Sequence, residues 1–429
     1  MLVLCITGTV FYLSLRRLRS NKRIFLVSVV SLMSVYIVLF TLLVYYSTGE
    51  ATMGSDMARY FSADEQMRVL SSIERALSQS ETSNTFFYAV NYLARLTSPS
   101  DVVAILSIRL ANVLIFACAY LSALALTEEN EKYPSELTVF DYVFLLMPFG
   151  IMTASRNVRD VYILYCILEL VRMIFSKKTI RFRLVRAVGF AVMLYFLRDL
   201  LLPILIVVFA VIKLSGTSES RSRKILKSAL GILAFFSVTE ALFRHSEGVR
   251  KTIWGVLFYF SDFEYSYVMS LTLLGTLTIL LNKAFFGIPY LLLVPSPFND
   301  ISFLLNQTQD ALSGYLPYEL VLVVIQGFIN FGFVFPCFLN FLFGARRITS
   351  STPRSSGAEK GILGVLIILI LVYAATVTSP HFRTRFLIVE TFVLWCWLKW
   401  KKEGGPLLNK TFLTISASII ALSIIMLFI

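Results

Sequence analysis

Apolar and polar positions along this chain fall into long blocks rather than alternating faces. Continuous apolar runs of about 14 to 26 residues are separated by short polar turns; the strands of a membrane barrel would instead alternate over segments of about ten residues. The pattern predicts a short apolar helix over residues 2–15 and spans over 24–46, 102–126, 137–154, 161–175, 184–197, 200–214, 228–243, 266–281, 284–297, 319–344, 361–378, 386–400 and 411–429. The expected fold class is all-α, a polytopic membrane helical bundle of about 12–14 transmembrane helices, because in lipid the backbone must bond to itself. One integral membrane domain is expected over residues 1–429, with residues 47–101 as a long extracytoplasmic first loop containing interfacial helices. Within that loop, Phe86-Phe87-Tyr88-Ala89-Val90-Asn91-Tyr92-Leu93-Ala94-Arg95-Leu96 places its apolar residues at helical spacing but is too short and polar to span. It reads as an amphipathic helix lying in the interface.

Composition agrees with this pattern. Of 429 residues, 57% are hydrophobic and only 15% charged, and the mean hydropathy is +0.77. A net charge of +13 would point to nucleic acid in a soluble protein. Here it is explained by lysines and arginines that hold inner loops in the cytoplasm, so no nucleic-acid partner is inferred. The run Arg16-Arg17-Leu18-Arg19-Ser20-Asn21-Lys22-Arg23 is the first such anchor, and it sends the following span outward with residues 47–84. Because this basic run follows the first apolar stretch, a cleaved signal peptide is not expected. Lysines fall almost wholly on the inner side of this topology, whereas the short outer loops carry Arg156, Arg159, Arg198, Arg244, Arg250, Arg383 and Arg385. Arginine grips carboxylate or phosphate through a planar fork, so its bias toward the side where charge should be scarce asks for an explanation.

Three outer turns share a pattern: Ser155-Arg156-Asn157-Val158-Arg159-Asp160, Leu197-Arg198-Asp199-Leu200, and Ser379-Pro380-His381-Phe382-Arg383-Thr384-Arg385. Each Arg-Asp pair reads either as a local ion pair at headgroup level or as part of a basic pocket for the phosphates of a lipid-linked substrate. On the second reading the substrate-binding candidates are Arg59, Tyr60, Arg156, Arg159, Asp160, Arg198, Asp199, His381, Arg383 and Arg385. Asp56, two residues after Gly54 in the first outer loop, is the candidate catalytic acid, base or orienting group, with Asp64, Glu65 and Glu74 as competitors. Tyr60 would stack on a sugar or cover a pocket. Glu169 and Arg172, three apart, read as a structural pair, and Glu240, Glu319 and Glu390 are carboxylates in apolar helices that should face a lumen or be paired. The five cysteines lie in apolar runs without CxxC spacing and read as buried small hydrophobes; the two histidines are too far apart in sequence for an HExxH metal site. No Walker motif, GxGxxG or nucleophile elbow is present, which argues against an ATP-driven pump or a synthase using a cytosolic donor.

The order of features resembles the membrane glycosyltransferases of the GT-C type. The resemblance rests on Asp56 followed by Tyr60, the FFYAVNYLARL helix, Ile108-Arg109-Leu110-Ala111-Asn112 on the next span, Met147-Pro148-Phe149-Gly150-Ile151, and the Arg159-Asp160 and Arg383-Thr384-Arg385 turns. The chain also looks like the multispanning repeat-unit polymerases of O-antigen and capsule assembly. The resemblance implies transfer of a sugar or oligosaccharide repeat unit from a polyprenyl-(pyro)phosphate donor, at the outer face of a bacterial cytoplasmic membrane. Asp56 would act on the acceptor hydroxyl and the arginines would hold the departing lipid phosphate. The implied partners are the polyprenyl-(pyro)phosphate-linked glycan, membrane lipids and other proteins of envelope polysaccharide assembly. No cofactor is called for, and without an Asp-x-Asp motif a divalent metal has no clear seat. A transporter or flippase of lipid-linked glycans is the rival class, although no internal repeat is visible.

Overall fold

The computed structural model describes residues 1–16, 18, 20–49, 60–62, 84–127, 137–176, 182–198, 201–215, 319–334, 336–337, 357–374 and 382–403. Among them all regular structure is helical, in twelve α-helices and one π-turn, so the all-α expectation holds. The helices are α1 (Leu2–Leu15), α2 (Ser20–Thr48), α3 (Thr85–Leu96), α4 (Asp101–Thr127), α5 (Val139–Leu146) and α6 (Pro148–Ser155). They continue with α7 (Asp160–Phe175), α8 (Arg183–Leu197), α9 (Leu201–Ser215), α10 (Glu319–Ile329), α11 (Gly357–Ala374) and α12 (Phe382–Glu403), and the π-turn Asn330–Val334 extends α10. The spans expected over 228–243, 266–281, 284–297 and 411–429, and most of the 47–84 loop, lie outside the described residues. By length and composition, two described helices suffice to cross a bilayer, over Ser20–Ser47 and Asp101–Thr127.

Helix α4 is the axis of the bundle: α1, α2, α3, α6 and α7 all pack on it. Its start is set by Pro99 and by Ser100, whose Oγ accepts the Val103 N–H at 3.4 Å. An outer layer follows, with α8 and α11 on α7, α9 on α11, and α12 on α5, α6 and α11. Phe386 meets Phe116 and Trp397 meets Phe140, whereas Gly150 lies beside Phe116, so α12 runs antiparallel to α5 and α6. Its first turn therefore points to the same end of the bundle as the α6–α7 turn.

The run 137–154, expected as one span, is two helices of 8 residues each. Met147 between them is extended, at φ −63° and ψ 123°. Pro148 is the cause, since it has no N–H to give and its ring excludes the helical conformation from the residue before it. Close contact elsewhere depends on glycine. A Cβ on Gly361 of α11 would stand 2.7 Å from Phe175 Cδ2 of α7, and one on Gly364 would stand 2.8 Å from Val208 and Ile212 of α9.

Inside the bundle, polar groups are tied in networks. Asp141 pairs with Lys22 at 3.4 Å, accepts from Tyr120 Oη at 2.5 Å, and closes a capping box with Thr138 at the start of α5. Glu169 accepts from Arg172 at 2.7 Å, the pair expected from their spacing, and also from Ser122 at 2.6 Å and Arg186 at 3.2 Å. The outside is apolar. Leu32, Val35, Leu39 and Tyr46 of α2 are 69%, 59%, 56% and 82% exposed, and Leu184 and Val185 of α8 are 77% and 69% exposed. Four cysteines are buried as expected, but Cys5 is exposed, because α1 is peripheral and turns that residue outward.

Two outcomes follow for stability. Lys22→Met leaves the buried Asp141 charge uncompensated and is expected to destabilise the protein by about 3–5 kcal/mol, read by chemical denaturation of the purified chain. Gly361→Ala forces α11 off Phe175, and a loss of about 1–3 kcal/mol is expected in the same assay.

Candidate functional site

The α6–α7 turn is built around asparagines. Asn112 of α4 donates its Nδ2 to the carbonyls of Arg156 at 2.7 Å and Val158 at 3.2 Å, which holds the turn against the central helix. Asn157, the second residue of the turn, donates to Asn91 Oδ1 at 2.7 Å, and Asn91 donates to the Phe87 carbonyl at 2.8 Å. These links clamp α3 to the turn. Arg159 reaches across to the end of α8, where its Nη1 donates to the Leu197 carbonyl at 3.0 Å. Two of the three arginine-bearing turns thus meet at one end of the bundle.

At this end Arg156, Arg159 and Asp160 are buried, and Asp160 opens α7, where a carboxylate suits the positive end of the helix dipole. Arg198 follows the last residue of α8. Helix α12 begins at Phe382, so Arg383 and Arg385 belong to its first turn rather than to a loop; that turn points to the same end. Their side chains lie outside the described residues, as do Asp56, Arg59, Asp199 and His381.

Tyr60, expected to stack on a sugar or cover a pocket, is buried. Its ring meets Phe87 and Tyr88 edge-on, with centroids 5.1 and 5.3 Å away, and its Oη donates to Asn84 Oδ1 at 3.3 Å. Its observed contacts are to α3 and the residue preceding it. Phe86 and Phe87 in turn meet Tyr162 of α7 edge-on at 6.1 and 5.8 Å.

Polar capacity is left over here. Asn112 Oδ1, Asn157 Oδ1, Thr85 Oγ1 and Tyr162 Oη are all buried and have no hydrogen-bond partner among the described residues. The two amide oxygens accept and cannot donate, so they are satisfied by hydroxyls, ammonium groups or water and not by phosphate oxygens, whereas the Thr85 and Tyr162 hydroxyls can donate or accept. The guanidinium groups beside them are donors that suit phosphate. Among the described residues no group of three His, Cys, Asp or Glu could hold a metal ion. Sequence reasoning passed over Asn91, Asn112, Asn157 and Tyr162 as site residues. The available signal was Asn112, an amide in the middle of an apolar helix where an unbonded polar group is expensive.

Comparison with protein-family models, with curated proteins and with solved structures finds no match to this chain.

Asn112→Ala removes the donor shared by two buried turn carbonyls. Stability should fall by about 1–3 kcal/mol, measured by denaturation, while Asn112→Asp, which keeps the shape but not the N–H, should fall as far.

Proposed function

We propose that this protein is an integral membrane glycosyltransferase of cell-envelope polysaccharide assembly, acting on a sugar or repeat unit carried by a polyprenyl-(pyro)phosphate at the extracytoplasmic face. The observation that carries this reading is the mixed chemistry of the α3/α6–α7 end. Leftover acceptors of Asn112 and Asn157 suit sugar hydroxyls, and Arg156, Arg159 and Arg198 suit the phosphate of a lipid carrier. The polytopic bundle of about 12–14 spans belongs to the same proposal. It is supported by an exterior of leucine, valine and isoleucine around an interior holding Lys22, Arg109, Asp141, Glu169 and Glu390, the reverse of a water-soluble distribution. A wholly apolar groove between α7, α8 and α9, lined by Leu170, Ile174, Val188, Leu202, Leu205 and Phe209, suits an isoprenoid tail. Chemistry on such a donor needs positioning, one base and stabilisation of a leaving phosphate, roles that fall to Asp56 and the arginines.

The rival reading, a flippase for the same lipid-linked glycan, is favoured by the α5–α6 break, because discontinuous helices mark binding sites in alternating-access transporters.

In membranes supplied with a lipid-linked glycan, Asp56→Asn should lower formation of new glycosidic bonds on the order of a hundredfold or more with protein level unchanged. Arg159→Lys should lower it as well, since lysine lacks the fork. Full product formation in Asp56→Asn rejects the catalytic role of that residue. Movement of the glycan across proteoliposomes without any new bond rejects the transferase in favour of the flippase.

A further inference from the structure

A second polar site lies deeper in the bundle, at the break between α5 and α6. Glu390 of α12 is fully buried, and neither carboxylate oxygen has a hydrogen-bond partner. A carboxylate in an apolar helix is expected to face a lumen or to be paired, and among the described residues this one is bonded to nothing. It is aimed at the first turn of α6. A Cβ on Gly150 would stand 3.1 Å from Glu390 Oε1 and 2.7 Å from Phe116 Cζ, so only glycine admits the carboxyl group and the phenyl ring together. One residue earlier, the Phe149 N–H donates to Gln326 Oε1 at 3.0 Å, and Gln326 Nε2 donates to Asn330 Oδ1 at 2.8 Å. Asn330, the first residue of the π-turn, keeps a buried Nδ2 with no partner.

The surroundings decide which ligand fits. The described titratable and charged side chains on the helices packed against α12 are Asp101, Arg109, Cys118 and Tyr120 of α4, Asp141 and Tyr142 of α5, Asp160, Tyr162, Tyr165, Cys166, Glu169 and Arg172 of α7, and Glu359 and Lys360 of α11, with Cys396 and Lys399 on α12 itself. Among the described residues none bonds to Glu390; Asp141 is taken by Lys22 and Glu169 by Arg172 and Arg186. A bare carboxylate charge held without a cation or donor is expensive, and one bound proton removes it. A metal cation would need a ring of oxygens, and among the described residues no group of three His, Cys, Asp or Glu could hold one.

We propose that Glu390 is a proton-binding site of this protein, loading and releasing one proton at the α5–α6 break. The assay uses the purified full-length chain and needs no glycan, so its outcome is independent of the function proposed above. The probe is dicyclohexylcarbodiimide, which attacks protonated carboxyl groups in apolar surroundings, and the readout is the mass increase on the peptide containing Glu390. Labelling is followed from about pH 5 to about pH 9, and it is expected at the acid end, falling about tenfold per pH unit above its midpoint. Modification that stays constant over the whole range overturns the proposal, because Glu390 is then a permanently neutral core acid. Absence of the adduct at every pH overturns it also. Protection by sodium chloride but not by choline chloride at fixed pH overturns the proton in favour of a sodium ion.

Discussion

The bundle depends on a ladder of polar side chains along α4. Arg109 donates to Thr41 of α2 at 2.8 Å, Asn112 holds the α6–α7 turn, Tyr120 reaches Asp141 of α5, and Ser122 reaches Glu169 of α7. Each rung meets a different neighbour. Leucine and valine surfaces pack in many sliding arrangements of nearly equal energy, but a buried hydrogen bond has one register, and losing it strands a polar group away from water. The ladder therefore sets where each helix sits along the axis, and the apolar contacts fill in around it.

Away from the turns, the ladder ends in closed networks. Asp141 and Glu169 are both ionic, and each is surrounded by donors from three partners. Near the α6–α7 turn it ends in open ones. Asn112 and Asn157 spend their N–H groups on the protein and keep an oxygen in reserve, and Tyr162 has a hydroxyl with no partner among the described residues. Glu390, between these regions, is left over in the same sense. Saturated groups fix a fold, whereas buried unsaturated ones persist where a substrate, a proton or water completes them.

Much of this was legible along the chain. Helix positions at α2, α4, α7, α8 and α9 follow from apolar run length, and α3 from its period, because both depend only on local spacing. The arginine turns were legible as well, since charge beside apolar runs is visible without a fold. The asparagine clamp was not: Asn91, Asn112 and Asn157 come from three separate elements, and no local pattern says that Asn112 holds the backbone of the turn from which Asn157 reaches Asn91. Pro148 announced a break that the hydropathy pattern alone reads through, because a proline changes backbone bonding and leaves apolarity untouched.

By itself, then, the sequence determined an all-helical chain with apolar runs, basic anchors and arginines gathered at particular turns. These are properties of composition and of neighbours in the chain. Only the tertiary structure decided that Arg159 meets the end of α8, that Tyr60 is buried against α3, and that Glu390 faces Gly150 without a partner. Whether a buried polar atom is satisfied depends on which distant residue packs opposite it, and that pairing is set by packing around α4 and not by any residue's own neighbours in sequence.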